Sequence, residues 1–357
     1  MQEYLYNLAT DKSGGVIASL IKMLLFLLSS LYGLAVRTLI LFYRLRPCRM
    51  SCKVISVGNI TLGGTGKTSL VEYIARYLKA QGHKVAIITR GYKRKITSYE
   101  LRATSYESMG DEPFMLFKNL SDVPVIVDSD RIKATLVAIR NYSVDTVILD
   151  DAFQQWKIKK DLDIVTVDST NPFGNRRLIP RGILREPLAS LKRADIFILT
   201  KTNINPSSED LKNYLNSVNP TALILQAIHK PVGFYKIARP EDLLAVDTWK
   251  GKTATLFSGI GDPSSFENLV AGLGIKIGLA FRFRDHHSYT QADLDKITGE
   301  SQEKKIDTII TTEKDAVRLV GSLLTMFGSS QLLVLRIAIE IKNEQEFNNR
   351  LRSLYSL

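Results

Sequence analysis

The sequence predicts an α/β fold: a P-loop NTPase-like parallel sheet flanked by helices, with a second, smaller α/β domain and an N-terminal membrane-associated helix. Three observations predict it. Short β-rich runs alternate with helical stretches from Lys53 onward, one such run leads directly into the glycine-rich segment TLGGTGKTS, and the first fifty residues are dominated by one long apolar stretch. Strands alternating with crossovers imply a parallel sheet covered on both faces.

At 357 residues, the chain has room for two globular units and an appendage. Its 45% hydrophobic and 24% charged residues are ordinary for a folded protein. A formal charge of +12 favours an anionic partner such as a phosphorylated metabolite, nucleic acid or acidic lipid headgroups. The only cysteines, Cys48 and Cys52, lack the second Cys pair or nearby His of a zinc site and read as reduced thiols.

From Val16 to Tyr43 the apolar run is interrupted by Lys22 and Arg37, leaving Met23 to Val36 as its longest uncharged part. That is shorter than the run expected of a spanning helix. Ser19, Lys22, Ser29, Ser30, Gly33, Arg37 and Arg44 recur at steps of three or four, a narrow polar stripe on an apolar helix. Such a helix is expected to lie in a membrane interface, with Arg44, Arg46, Arg49 and Lys53 placed to meet anionic headgroups. A buried core helix and a spanning helix are the alternatives. Glu3 and Asp11 stand where a secretory signal would be basic, which argues against one.

Residues 51–227 are expected to form the nucleotide-binding domain, 228–248 a linker and 249–357 the second domain, after an anchor over 1–50. Two inserts interrupt the first domain: a polar, aromatic segment over 92–109, read as a hairpin lid, and the loop NPFGNRRLIPRGILREP, rich in Gly, Pro and Arg.

The segment Thr61, Leu62, Gly63, Gly64, Thr65, Gly66, Lys67, Thr68 falls between a strand and a helix. Backbone N–H groups there suit the phosphates of ATP, with Lys67 reaching the β and γ phosphates and Thr68 offering its hydroxyl to Mg2+. Thr61 departs from the strict pattern, which has glycine at that place. An acidic group at the end of a neighbouring strand is also required, and VILDD supplies Asp150 and Asp151 as magnesium candidates. Paired aspartates at a strand end also cap helices, which is the competing role. Asn203 replaces the aspartate that guanine recognition would need.

These residues, with ITRGY, GDEP, VILDDAFQ, DLDIVTVD, GNRRLIPRGILREP, GIGDPSSF, FRDHHSY and TTEKDAVRL, resemble the lipid A 4′-kinase (tetraacyldisaccharide 4′-kinase) family. The likeness runs along nearly the whole chain and accounts for Thr61, since the family carries TxGGTGKT. Ser69 and DDAFQQ, with Ala152 and Gln155, depart from the family's commoner residues.

The resemblance implies transfer of the ATP γ-phosphoryl to the 4′-hydroxyl of a lipid A disaccharide 1-phosphate at the cytoplasmic face of a bacterial inner membrane, by a peripheral or monotopic enzyme. It assigns Asp111 as the group that takes the hydroxyl proton and His286 as its orienting partner, in a pocket expected between the domains. An N-cap role for Asp111 and a loop role for His286 are the simpler alternatives, and His287 is not separated from His286 by chemistry alone. Arg131 and Arg185 are expected to clamp phosphate charge and Glu186 to approach the metal, against the alternative of solvated surface charge for the arginines. Glu313 and Lys314 have no assigned role. Two other classes compete: a P-loop ATPase that drives a partner protein, and a nucleic-acid ATPase, for which the sequence offers no recognition helix or stacking motif. Nucleic acid is therefore not expected as a partner, and the sequence leaves protein partners open.

Overall fold

The computed structural model describes residues 11, 14–91, 109–204, 208–319, 327 and 331–356. The lid expected over 92–109 lies outside the described residues, apart from Met109. The chain divides into two units. Unit 1 comprises Met1–Arg90, Asp122–Ile228 and Ile339–Leu357, and unit 2 comprises Gly91–Ser121 and His229–Ala338.

Unit 1 begins with helix α1 (Val16–Leu45), followed by strand β1 (Lys53–Gly58) and helix α2 (Lys67–Ala80). It continues with β2 (Val85–Thr89), β3 (Val125–Val127), α4 (Arg131–Tyr142), β4 (Thr146–Asp150), β5 (Leu162–Asp168), β6 (Ile196–Thr200) and α5 (Ser208–Val218); α3 (Asp111–Asn119) belongs to unit 2. Its strands are parallel in the order β3, β2, β4, β1, β5, β6, with β6 pairing the start of β7 (Leu223–Lys236). Strand β1 is central, flanked by β4 and β5. Burial on both faces explains why these strands read as unbroken apolar runs: all of β2, β4 and β6 is buried. One core packs Val54, Ala86, Ile88, Val147 and Leu149, and another Val165, Val167, Phe197, Leu199 and Leu215. The C-terminal helix α9 (Glu344–Arg352) returns to this unit, where Glu344 and Asn348 accept from the Tyr73 hydroxyl at 2.6 and 3.0 Å.

Unit 2 holds a parallel sheet in the order β10 (Lys276–Arg282), β9 (Thr253–Ser258), β11 (Thr308–Thr312), β12 (Gln331–Ile341). Helices α6 (Pro263–Gly272), α7 (Gln291–Glu303) and the single turn α8 (Glu313–Ala316) connect its strands. The 228–248 segment, expected as a linker, instead contains the second part of β7 and strand β8 (Arg239–Leu244), an antiparallel pair. Pro231 and Pro240 obscured the strand pattern, because proline is confined to edges and irregular positions of sheets.

Helix α1 is long and apolar enough to cross a membrane by length and composition, with a mean hydropathy of 2.0 in its best window. Only 17% of that window is buried, and Leu20, Leu24, Leu27, Leu31, Leu34 and Phe42 are exposed. Its polar stripe behaves differently from the expectation. Ser29 and Gly33 are buried, the Ser29 hydroxyl donates to Leu178 O at 2.9 Å, and the Tyr32 hydroxyl donates to Arg185 O at 2.7 Å. Part of the stripe therefore faces the protein's own 178–185 loop.

Candidate active site

The phosphate loop starts where β1 ends. Gly58 is required there, because an added Cβ would lie 2.4 Å from the Phe153 backbone nitrogen. Thr61 bridges Leu184, Leu62 N–H donates to Ile183 O at 2.8 Å, and Arg185 N–H donates to Ile60 O at 2.8 Å. Thr61 thus occupies a β-bridge, where glycine has no advantage. Beyond it, Gly66 takes a left-handed conformation (φ 78°) and caps α2, whose first residue is Lys67. The first N–H groups of an α-helix have no partner within the helix, which makes such a turn a ready site for phosphate. A Cβ added at Gly63 or Gly64 would meet nothing within 4 Å, so the approach to this turn is open. Thr65 is held from below by the Thr166 hydroxyl at 2.6 Å.

The acidic residues arrive by register. Val57 is paired with Asp150 across β1 and β4, which brings the strand end beside the loop. Asp151 follows in the left-handed region (φ 48°), a conformation that aspartate tolerates better than most residues. Its Oδ1 lies 3.5 Å from Lys67 Nζ, and both of its oxygens accept from Arg185 Nη1 at 2.9 Å. Burial pushes the Asp151 carboxyl up, but the charges of Lys67 and Arg185 and their hydrogen bonds outweigh it and hold the carboxyl below its ordinary value. Arg185 also donates to Gln154 Oε1 at 3.3 Å, while Gln154 Nε2 donates to Asn59 O at 3.0 Å. Lys67, Thr68, Asp150, Asp151 and Arg185 are therefore gathered around the loop, and Gln154 joins them unforeseen; DDAFQ in the sequence carried it without marking its role.

Two expectations need correction. Glu186 is fully buried, and its carboxylate accepts from Arg193 Nη1 at 2.8 Å, Arg193 Nη2 at 3.1 Å and Trp156 Nε1 at 3.0 Å. Both oxygens are committed to a buried ion pair, so a metal-ligand role does not fit. Arg131 is 5% exposed and donates to the backbone carbonyls of Asp128 at 2.6 Å and Asp150 at 3.1 Å. It braces the end of β4 from within, and neither a phosphate clamp nor a solvated charge describes it.

In unit 2, Asp111 is the first residue of α3, with Gly110 at the cap and no capping bond from a side chain. The N-cap alternative for Asp111 therefore fails. Its Oδ2 lies 2.8 Å from His286 Nδ1 and 2.6 Å from Arg318 Nε. Burial raises the Asp111 carboxyl, and the hydrogen bond from His286 with the charge and hydrogen bond of Arg318 reverse this, leaving it below its ordinary value. His286 itself sits at φ 58°, with its N–H donating to Gly259 O at 3.1 Å. His287 is separated by its contacts: Nε2 lies 3.0 Å from Asp293 Oδ2, and the ring stacks on Phe283 at 4.7 Å. Lys314 pairs with Glu112, and Glu313 with Arg336 at 3.0 Å. Sequence reasoning missed Arg318, since nothing in TTEKDAVRL separates that arginine from a surface charge.

A central β1 running into GGTGKT, the helix it opens and the acidic end of β4 beside it define a P-loop nucleotide-binding protein. Residues 21–356 match the family model described as tetraacyldisaccharide-1-P 4′-kinase. The tetraacyldisaccharide 4′-kinase of Halothermothrix orenii is 35% identical, with 96% of this chain and 95% of that protein covered. That of Elusimicrobium minutum is 36% identical over 86% of this chain and 83% of its own length. The crystal structure of LpxK from Aquifex aeolicus, in complex with ATP, superposes with a TM-score of 0.76 at 28% identity, covering 94% of this chain and all of that one. The chain belongs to the tetraacyldisaccharide 4′-kinase family.

Proposed function

We propose that this protein is an ATP-dependent kinase that transfers the γ-phosphoryl group to the 4′-hydroxyl of a tetraacyldisaccharide 1-phosphate, a step of lipid A biosynthesis. The observation that carries this reading is the family match over residues 21–356, in a chain that keeps the phosphate loop, Lys67 and Asp151 together.

In this reading, the N–H groups from Gly63 to Thr68 bind the ATP phosphates and Lys67 neutralises the charge that develops on the transferred group. Thr68, buried in the first turn of α2, and Asp150 or Asp151 fit a Mg2+ ion held mainly by phosphates and water. That ion would offset negative charge on the phosphate oxygens. Arg185, held by Asp151 and Gln154, would meet further phosphate charge as a planar donor. Asp111 accepts the proton of the acceptor hydroxyl, and His286 orients the carboxylate. Arg131 contributes indirectly, by fixing the backbone at Asp128 and Asp150.

The acceptor is a lipid, and α1 supplies the means of meeting it. Its exposed apolar face would enter the cytoplasmic leaflet while basic residues following it meet anionic headgroups. Contacts from Ser29 and Tyr32, near the middle of the helix, to the 178–185 loop favour a helix lying in the interface. A spanning helix would put that midpoint at the bilayer centre, where polar loops are not tolerated.

The test is ADP formation by purified protein with Mg-ATP, with and without the disaccharide 1-phosphate. Acceptor-dependent ADP release matched by lipid phosphorylation is expected. Equal ADP release in both conditions, with the lipid unmodified, would favour an ATPase that acts on a partner protein.

A further inference from the structure

The surroundings of Asp111 divide its two carboxylate oxygens. Oδ2 takes two hydrogen bonds, from His286 Nδ1 at 2.8 Å and Arg318 Nε at 2.6 Å. Oδ1 carries no hydrogen bond among the described residues. A carboxylate loaded on one oxygen has a fixed plane, and its other oxygen is kept for a proton arriving from outside.

Arg318 is itself held on its far side. Its side chain is 2% exposed, and Nη1 donates to Gly259 O at 2.9 Å and Asp315 Oδ1 at 2.9 Å. Asp315 is fully buried and accepts from Gly259 N–H at 2.9 Å, the Tyr289 hydroxyl at 2.8 Å and the Thr312 hydroxyl at 2.6 Å. The residue after β9, the last residue of β11 and the loop before α7 are thereby tied, through Asp315, to a single guanidinium. One lysine nitrogen on a flexible stem does not reproduce this: the contacts use two different nitrogens of one rigid plane.

We propose that Arg318 is the positioning residue of the transfer, which locks Asp111 through Oδ2 and so dedicates Oδ1 to the acceptor hydroxyl. The inference rests on the reading of Asp111 as the proton acceptor. The step moves one proton: the acceptor O–H bond breaks as its oxygen bonds to the γ-phosphorus, ADP leaves with the electrons of the cleaved bridging bond, and the proton passes to Oδ1. Other charged groups near the pair are Asp285, 3.9 Å from His286 Nε2, and the Glu112–Lys314 pair that follows Asp111 on α3. Arg318 differs from them in holding Asp111 directly while shut off from water.

The test compares Arg318→Gln and Arg318→Lys with Asp111→Asn, measuring kcat and KM for ATP and the pH profile of kcat/KM, after melting curves establish folding. Loss of the Arg318 charge should raise the acidic limb by about one pH unit or more, since an adjacent arginine lowers a carboxyl by that much. Arg318→Lys should keep the limb near its original place yet lower kcat by about 10- to 100-fold through misplacement, with KM for ATP unchanged. A merely structural role would lower the melting temperature without moving the limb. A folded Arg318→Gln variant with an unmoved limb and unchanged kcat would overturn the assignment; if that variant does not fold, unchanged kcat in Arg318→Lys would do so. Retained activity in Asp111→Asn would instead remove the underlying reading of Asp111.

Discussion

Tyr32, in the middle of α1, donates its hydroxyl hydrogen to the backbone carbonyl of Arg185 at 2.7 Å. Arg185 also grips Asp151 with its side chain and pairs its N–H with Ile60 of the phosphate loop. The apolar helix is thereby fastened to the same short segment that walls the nucleotide site. Removing residues 1–45 should therefore weaken ATP binding as well as membrane attachment. Fluorescent-nucleotide titration of the truncated protein in detergent is expected to show the loss; an unchanged Kd would uncouple the helix from the site.

Substitutions on the exposed face of α1 should separate the two effects. Leu24→Asp with Leu31→Asp places charge on residues that contact no core, since both are well exposed. Binding to vesicles containing anionic lipid should fall steeply, by roughly 2–3 kcal/mol per residue if each side chain inserts deeply. ATP affinity should stay as in the parent. Vesicle co-sedimentation checks the first outcome and nucleotide titration the second.

Replacing Asp111 by Asn should lower kcat by about 10²–10⁴-fold, the range for loss of a general base, with ATP binding preserved. The same carboxyl gives a pH signature in stability. Its folded value is depressed below the ordinary 3.8, so its stabilising contribution is complete above that pH and is lost as the pH falls through the depressed value. The stability gap between parent and Asp111→Asn should accordingly be largest near neutrality and close in strong acid. Denaturant titrations at a series of pH values measure it, and a constant gap would mean that Asp111 ionisation does not contribute.

Glu186 offers a contrast between structural and metal chemistry. Glu186→Ala strands Arg193, which is 13% exposed at its side chain, beside an empty partner position. Breaking a buried pair in this way costs about 3–5 kcal/mol. The melting temperature should drop sharply, while the Mg2+ concentration that half-saturates activity should not change in whatever folded protein remains. A large change in that concentration at unaltered stability would restore Glu186 as a ligand.

The parallel sheet and phosphate loop were legible because their signals are local: apolar runs buried on both faces, and a strand, glycines and Lys67 in sequence. The family likeness accounted for Thr61 by pattern, but its physical reason, the bridge with Leu184, is a contact made by a distant loop. The same distance hid Arg318, whose partner Asp111 is 207 positions away. It also hid the fate of Arg131 and Glu186, since whether a charge faces solvent or a buried partner depends on tertiary packing. The unit boundaries were illegible for a related reason. Gly91–Ser121 groups with the later half of the chain, and Ile339–Leu357 returns to the first unit, so neither unit is a continuous stretch.

The most direct measurement follows the phosphate. Purified protein in mixed micelles should be given γ-labelled Mg-ATP and a tetraacyldisaccharide 1-phosphate, and the lipid product examined by phosphorus NMR. One new monoester at the 4′ position, absent when Lys67 is replaced by Ala, is the expected result. Label released only as inorganic phosphate, or a lipid product formed equally well without Lys67, would contradict the kinase assignment.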